Sequence, residues 1–317
     1  MINWFPGHMH KARKEIADVM PQIDVVIEIL DARLPFSSEN PLVAGLRGEK
    51  PCIKLLNKAD LADPELTQAW LDYFEAQQGV QALAISEKNP TTLSPIYQRI
   101  DKALAGRDLA IRGGRVMIMG IPNVGKSTLI NAWVGKKMTK TGNEAGVTRS
   151  QQKIKLANNL TLTDTPGFLW PKLTPPEAGL RLAISGAIKE TAYDYIDLGL
   201  FTAQFLIQSY PDALIARYGV DLMPLAGLLP EEQDEALLTQ IAQKRGSMLR
   251  PGSVDWDKVC RLLVNEVRDG KLGRLTYETP TQCVQEVARA QQAEAEKAQL
   301  KAQRDTERKA RTRKNRK

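Results

Sequence analysis

Gly120 to Ser127 reads GIPNVGKS, and no other stretch restricts the possible folds so tightly. The eight residues fit the pattern G-x-x-x-x-G-K-[ST], a phosphate loop. An apolar run, Val116 to Met119, precedes it, and a helical pattern, Thr128 to Val134, follows it. Strand, glycine loop and helix in that order form an anion site. Backbone N–H groups of Asn123, Val124, Gly125, Lys126, Ser127 and Thr128 would point at phosphate oxygens, helped by the positive end of the helix. Lys126 would reach the β- and γ-phosphates, and the Ser127 hydroxyl would ligate Mg²⁺. The loop implies a nucleoside triphosphate without saying which.

The base is read elsewhere in the chain. Asp24 to Leu30 (DVVIEIL) and Pro51 to Leu56 (PCIKLL) have the composition of buried strands, and the second runs into Asn57-Lys58-Ala59-Asp60. Ligands bind at the carboxyl ends of parallel strands. There the Asp60 carboxylate can accept from the N1–H and 2-amino group of guanine, a pairing adenine does not offer. Asn57 would brace the loop and the Lys58 stem would cover one purine face. A helix over Pro64 to Gln78 and a strand over Val80 to Ile85 lead to Ser86-Glu87-Lys88, where the Ser86 N–H would meet the guanine O6. After the phosphate-loop helix, the polar stretch 135–150 offers a threonine to close over the γ-phosphate and Mg²⁺, Thr148 first and Thr141 second. Two short strands around Asn158-Asn159 form a hairpin. The second ends in Asp164-Thr165-Pro166-Gly167, in which Asp164 would hold Mg²⁺ through water and the Gly167 N–H would touch the γ-phosphate.

From Pro175 the alternation of strand and helix stops. Five helical patterns follow, over Glu177–Lys189, Ile196–Ser209, Asp212–Tyr218, Glu231–Gly246 and Trp256–Asp269, jointed by proline and glycine. The organisation expected is an N-terminal segment and helix (1–22), an α/β nucleotide-binding domain (23–175), an all-α domain (176–284) and a basic tail (285–317), a solvated helix over its first half and disordered over its last ten residues. Arg289 to Lys317 holds eleven Lys/Arg and four Asp/Glu, a net +7, which equals the charge of the whole chain. The body is neutral and the tail carries the excess, so a polyanion such as RNA is the partner the charge suggests. Cys52, Cys260 and Cys283 are too few and too scattered for a disulfide framework or a four-cysteine zinc site. His8 and His10 lack a third ligand for a metal. No apolar run approaches the ~20 residues of a membrane span, and the N-terminus lacks a secretory apolar core. A monomer in the reducing cytoplasm, without membrane contact, is the expectation.

The nucleotide boxes come in an unusual order. NKAD at 57 and SEK at 86 precede GIPNVGKS, Thr148 and DTPG, whereas ordinary Ras-like GTPases begin with the phosphate loop. Circular permutation produces such an order without altering the sheet. It also makes the chain leave the nucleotide domain directly after DTPG. With the opening WFPGHM, the DAR at 31–33 and the run DTPGFLWPK, this order resembles the ribosome biogenesis GTPase A family (the YlqF group), circularly permuted Ras-like GTPases of the TRAFAC class. The likeness is densest over residues 2–175.

The resemblance implies a GTPase that binds immature large ribosomal subunits, both rRNA and ribosomal proteins, and assists late 50S assembly, with the helical domain contacting rRNA. Phe168 stands where Ras-like enzymes use a glutamine to orient water. In the resembled family the histidine of PGHM, here His8, has been proposed for that task, beside Lys126 and Thr148 as catalytic groups. Asn123 matches an asparagine that ligates K⁺ in potassium-stimulated relatives, so Mg²⁺ and K⁺ are the expected cofactors. Two other readings stay open at this point. One is a small-subunit assembly GTPase. The other is a nucleotide-gated rRNA-binding module with little hydrolysis of its own.

Overall fold

The computed structural model describes residue 2 and residues 4–86, 93–135, 152–250 and 252–314. Helix α1 spans Gly7–Val19 and buries Met9, Ala12 and Ile16, spaced three to four apart along one face. Strand β1 (Val25–Asp31) follows, then short helices α2 (Pro35–Ser38) and α3 (Pro41–Arg47), β2 (Cys52–Asn57), α4 (Pro64–Glu75) and β3 (Val80–Ala84). Next come α5 (Leu93–Ala103), α6 (Leu109–Arg112), β4 (Gly114–Gly120), α7 (Lys126–Val134) and the hairpin of β5 (Gln152–Lys155) and β6 (Leu160–Asp164). Asn158 and Asn159 turn that hairpin at φ 56° and 55°, left-handed values that asparagine tolerates.

The six strands form one sheet in the order β3-β2-β1-β4-β6-β5, parallel except for β5. Every residue of β1 and β2 is buried, as expected for strands covered on both faces. From β1 the chain steps outward to β2 and β3. It then returns to lay β4 on the other side of β1 and steps away again to β6 and β5. The reversal lies between β1 and β4, so the crevice at their carboxyl ends is where the topology places a ligand. Permuted box order has left the sheet intact.

Beyond the sheet lie α8 (Pro176–Ser185), α9 (Tyr195–Ser209), α10 (Pro211–Tyr218), α11 (Pro230–Arg245), a small pair β7 (Met248–Arg250) and β8 (Ser253–Val254), α12 (Trp256–Arg268) and α13 (Pro280–Lys314). The five helical patterns after Pro175 match α8 to α12.

Three stretches hold structure that their sequence patterns do not announce. Residues 35–47, which contain Pro35 and Pro41, form α2 and α3. Each proline occupies the first turn of its helix, where its missing N–H costs nothing, and Asn40 caps α3 by accepting from the Leu42 N–H at 3.0 Å. In residues 285–317 the helix expected over the first half is present as the continuation of α13, and it extends through Lys314 into the last ten residues, expected to be disordered. Alanine, glutamine, glutamate, lysine and arginine are all strong helix formers, and Gln292 bonds Glu296 one turn on at 3.0 Å. Finally, residues 270–279 do not stay with the helices. They run back across the sheet unit as a strap: the Leu275 N–H reaches the Leu61 carbonyl at 3.0 Å and the Tyr277 N–H the Arg33 carbonyl at 2.7 Å.

The strap ends in Glu278, fully buried. It accepts from the Ser37 N–H (2.8 Å) and hydroxyl (2.5 Å) and pairs with Arg181 of α8 at 3.3 Å, while its carbonyl takes the Trp70 indole N–H at 3.0 Å. Arg181 also holds Glu286 of α13 through two hydrogen bonds of 2.8 and 2.7 Å. One buried guanidinium thus joins α8, the strap and the base of the long basic helix.

Candidate functional site

Asp31, Asn57, Gly120 and Asp164 end β1, β2, β4 and β6, and parallel pairing brings these ends to one edge of the sheet. The loop after β4 passes through Asn123 at φ 57° and Gly125 at φ 96° before α7 begins at Lys126. Gly120 and Gly167 allow the close packing there. A Cβ on Gly120 would lie 2.8 Å from the Ile29 carbonyl oxygen, and one on Gly167 would lie 3.0 Å from both the Cα and N of Pro122. The DTPG segment therefore rests directly on the phosphate loop.

The NKAD loop and the phosphate loop, sixty residues apart in sequence, are bonded to each other. Asn57 Nδ2 donates to the Val124 carbonyl at 2.8 Å, and Lys58 Nζ to the Asn123 carbonyl at 3.0 Å. Lys58 sits at φ 62° and also pairs with Asp31 at 2.9 Å. Asp31 receives Arg33 through two side-chain bonds of 2.9 and 2.8 Å. Burial works to raise the Asp31 pKa, but Arg33 and Lys58 outweigh it and hold the carboxyl well below the usual range. The DAR motif is thereby explained: Asp31 fixes the lysine of NKAD. Asp60 is half-buried at the rim, with the Ser86 hydroxyl donating to its Oδ1 at 2.8 Å. Ser86 thus stands beside the carboxylate expected to read guanine, while Glu87 and Lys88 lie outside the described residues.

Lys126 is buried, and its ammonium lies 3.2 Å from Asp164 Oδ1. Asp164 Oδ2 is buried with no hydrogen-bond partner among the described residues. Burial raises the Asp164 pKa despite the opposing pull of Lys126. An incompletely satisfied carboxylate beside Lys126, the residue before Ser127 in α7, fits Mg²⁺, which commonly takes one or two carboxylates and completes its shell with water and phosphate oxygens. Among the described residues no three His, Cys, Asp or Glu side chains converge, so a site held wholly by protein is not found there. Thr148 and Thr141 lie outside the described residues.

Phe168 is fully buried, its N–H 3.4 Å from the Gly120 carbonyl, so no water-orienting side chain occupies the position after DTPG. His8 is exposed in the first turn of α1. Its neighbour Met9 is buried with its sulfur accepting from the Leu169 N–H at 3.4 Å. The PGHM turn therefore abuts the segment immediately following DTPG. His10 packs edge-on against Phe5, with ring centres 4.4 Å apart.

Two features escaped the sequence reading. Asn123, expected to face K⁺, uses Nδ2 to donate to the Gly186 carbonyl at 2.8 Å, just beyond the end of α8. Arg268 holds the same helix end through the carbonyls of Ile184 (2.9 Å) and Ala183 (3.3 Å), and Arg33 in turn donates to the Arg268 carbonyl at 3.0 Å. The second feature is a buried ion cluster under the site. Lys54 Nζ lies 3.0 Å from Glu28 and 2.6 Å from Glu39. Burial opposes the Lys54 charge, but both carboxylates outweigh it and hold its pKa above the usual lysine range. Glu28 also accepts from the Asn40 N–H, and Asn40 Nδ2 holds the Phe168 carbonyl at 3.1 Å, bracing the segment after DTPG. The signal was in the sequence: Glu28 and Lys54 each interrupt an apolar strand, and the register pairs them directly.

Comparison with known proteins accords with this geometry. Residues 115–207 match the family model described as 50S ribosome-binding GTPase. The match begins at β4, as the permuted box order requires. Ribosome biogenesis GTPase A of Priestia megaterium is 42% identical over 292 residues, covering 90% of this chain and 99% of the relative. The protein of the same name from Thermotoga maritima is 30% identical, covering 88% and 95%. Among solved structures, GDP-bound Thermotoga YlqF superposes with a TM-score of 0.58 at 26% identity, covering 84% of this chain and 99% of that one. The form with bound GNP gives 0.57 at 27%, covering 85% and 98%.

Proposed function

The chain belongs to the ribosome biogenesis GTPase A family, and from that premise we propose a GTPase that binds the maturing large ribosomal subunit and assists late 50S assembly. In this reading the subunit stimulates hydrolysis of GTP to GDP and phosphate. The observation that carries it is the bond from Asn123 to Gly186, which ties the phosphate loop to the first helix of the C-terminal region. A client gripping those helices would act on the nucleotide through that bond.

The residues divide the work as follows. Asp60, Ser86, Asn57 and Lys58 read guanine. The backbone from Asn123 to Thr128 cradles the phosphates, and Lys126 exchanges Asp164 for phosphate oxygens. Ser127, Thr148 and Asp164 would hold Mg²⁺, which supplies neutralising charge at the γ-phosphate. Gly167 reads the γ-phosphate through its N–H. His8 orients the attacking water in place of the residue that Phe168 cannot supply. Asn123 would face K⁺ from the phosphate loop while its Nδ2 donates to Gly186. The chain works as a cytoplasmic monomer.

Co-sedimentation of the full chain with 30S, mature 50S and immature 50S particles, in GDP and in a non-hydrolysable GTP analogue, tests this. Retention on immature 50S that depends on nucleotide is expected. Equal retention on all particles, or none, removes the proposal. The buried Phe168 favours one second reading, a nucleotide-gated RNA-binding module that barely hydrolyses GTP. Single-turnover assays with and without 50S subunits separate the two.

A further inference from the structure

A groove of about 330 Å³ runs along the face of β5 and β6, between that hairpin and the end of α1. Three cations line it: Arg112, Arg115 and Lys153. All three are exposed, and none forms an ion pair among the described residues. Asn159, Thr161 and Thr163 add amide and hydroxyl groups to the floor, and among the described residues no carboxylate or aromatic ring lines the groove. Asp24, which touches Arg115, is already engaged: its carboxylate accepts the Arg115 backbone N–H at 2.8 Å and pairs with Arg107.

Three exposed cations on one concave surface, with no carboxylate among the described lining residues, focus a positive potential that favours an anionic ligand. We propose that this groove binds the phosphodiester backbone of double-helical RNA. Cations and hydroxyls match phosphate and 2′-hydroxyl oxygens, the groups through which A-form duplexes are recognised. The absence of aromatic rings argues against unpaired bases, which are held by stacking. An acidic protein segment is the competing anion, and RNA is preferred because the inference rests on the ribosomal client proposed above.

The groove begins at the amino end of β4, away from the nucleotide edge, and extends along β6 to Thr163, the residue before Asp164. RNA and nucleotide can therefore occupy the chain together. The strand that forms the groove floor also carries the candidate Mg²⁺ carboxylate at its end, so RNA seated there stiffens the stem of the DTPG segment.

The test compares the full-length GDP-bound chain with the variant carrying Arg112→Gln, Arg115→Gln and Lys153→Gln. The probe is an RNA duplex of about 20 base pairs, long enough for a shape-reading contact, measured across a salt series. The triple variant should bind at least about tenfold more weakly at low salt, and its log–log salt slope should be shallower by about two to three, near 0.9 per lost phosphate contact. The basic helix α13 is present in both chains and cancels. GDP affinity and melting temperature should not change, and Arg112→Lys with Arg115→Lys should retain the slope. Equal affinity and slope in the two chains overturns the proposal, as does a wild type that ignores the duplex. Polyglutamate displacing the duplex from wild type at equal charge concentration assigns the groove to an acidic protein and also overturns it. Duplex binding lost in the triple variant, together with no retention of wild type on 50S particles, keeps the groove and removes the client.

Discussion

His8 is the residue on which the proposed chemistry turns. It stands exposed one position before Met9, which is anchored to Leu169, and Phe168 fills the place of a water-orienting glutamine. His8→Ala should lower 50S-stimulated turnover by about 10²-fold, the usual worth of a positioned acid–base group, with GTP affinity intact. Undiminished turnover would sink the role. Asn123 is tested through its ion: exchanging K⁺ for Na⁺ should reduce turnover about tenfold by removing charge stabilisation between the phosphates, and equal rates would show that Asn123 serves Gly186 alone. Asp234 makes a different prediction. It is buried in α11 with Oδ1 unpartnered among the described residues, and burial, with Glu231 and Glu235, pushes its pKa up to about 6. A raised carboxyl pKa means the folded chain holds the proton more tightly than the unfolded one. Its contribution to stability is therefore largest below ~4 and is lost as pH rises through 6. Asp234→Asn should accordingly stabilise the protein by about 1 kcal/mol at pH 8, after allowance for solvent screening, and have little effect at pH 4. Urea titrations at the two pH values measure it.

At the scale of elements, strands and site loops were legible because their signals are local. Buried parallel strands read as apolar runs, and the phosphate loop, NKAD and DTPG each sit at a strand's end. Harder to see were features made by distant residues meeting. Nothing near Glu278 in sequence announces that Ser37, Trp70 and Arg181 converge on it, so a strap crossing the sheet unit was read as a joint between helices. The composition of the basic segment fits two descriptions, a solvated helix over its first half and a disordered end, and α13 runs through both as far as Lys314. Arg181 anchors its base by fixing Glu286. Arg181→Met should destabilise the chain by about 3–5 kcal/mol, since it leaves Glu278 and Glu286 buried without their cation. Early proteolysis within 270–290, followed by mass spectrometry, would show the strap and the base of α13 released together. An unchanged melting temperature would contradict the buried network.

For the whole molecule, α13 is 35 residues long, about 50 Å at ~1.5 Å per residue, and residues 289–317, which it contains as far as Lys314, hold the net charge of the chain. Deleting residues 289–317 should flatten the salt dependence of binding to 50S particles without changing GTP affinity. An unaltered slope would leave those charges with no part in binding. The bond between Asn123 and Gly186 has a consequence of another kind. It makes the end of α8 and the phosphate loop two corners of one thermodynamic cycle. A partner that shifts α8 and thereby weakens GTP by some factor must itself be weakened by GTP by that same factor. A single measured ratio, nucleotide affinity with and without the partner, would therefore give the strength of the switch in both directions.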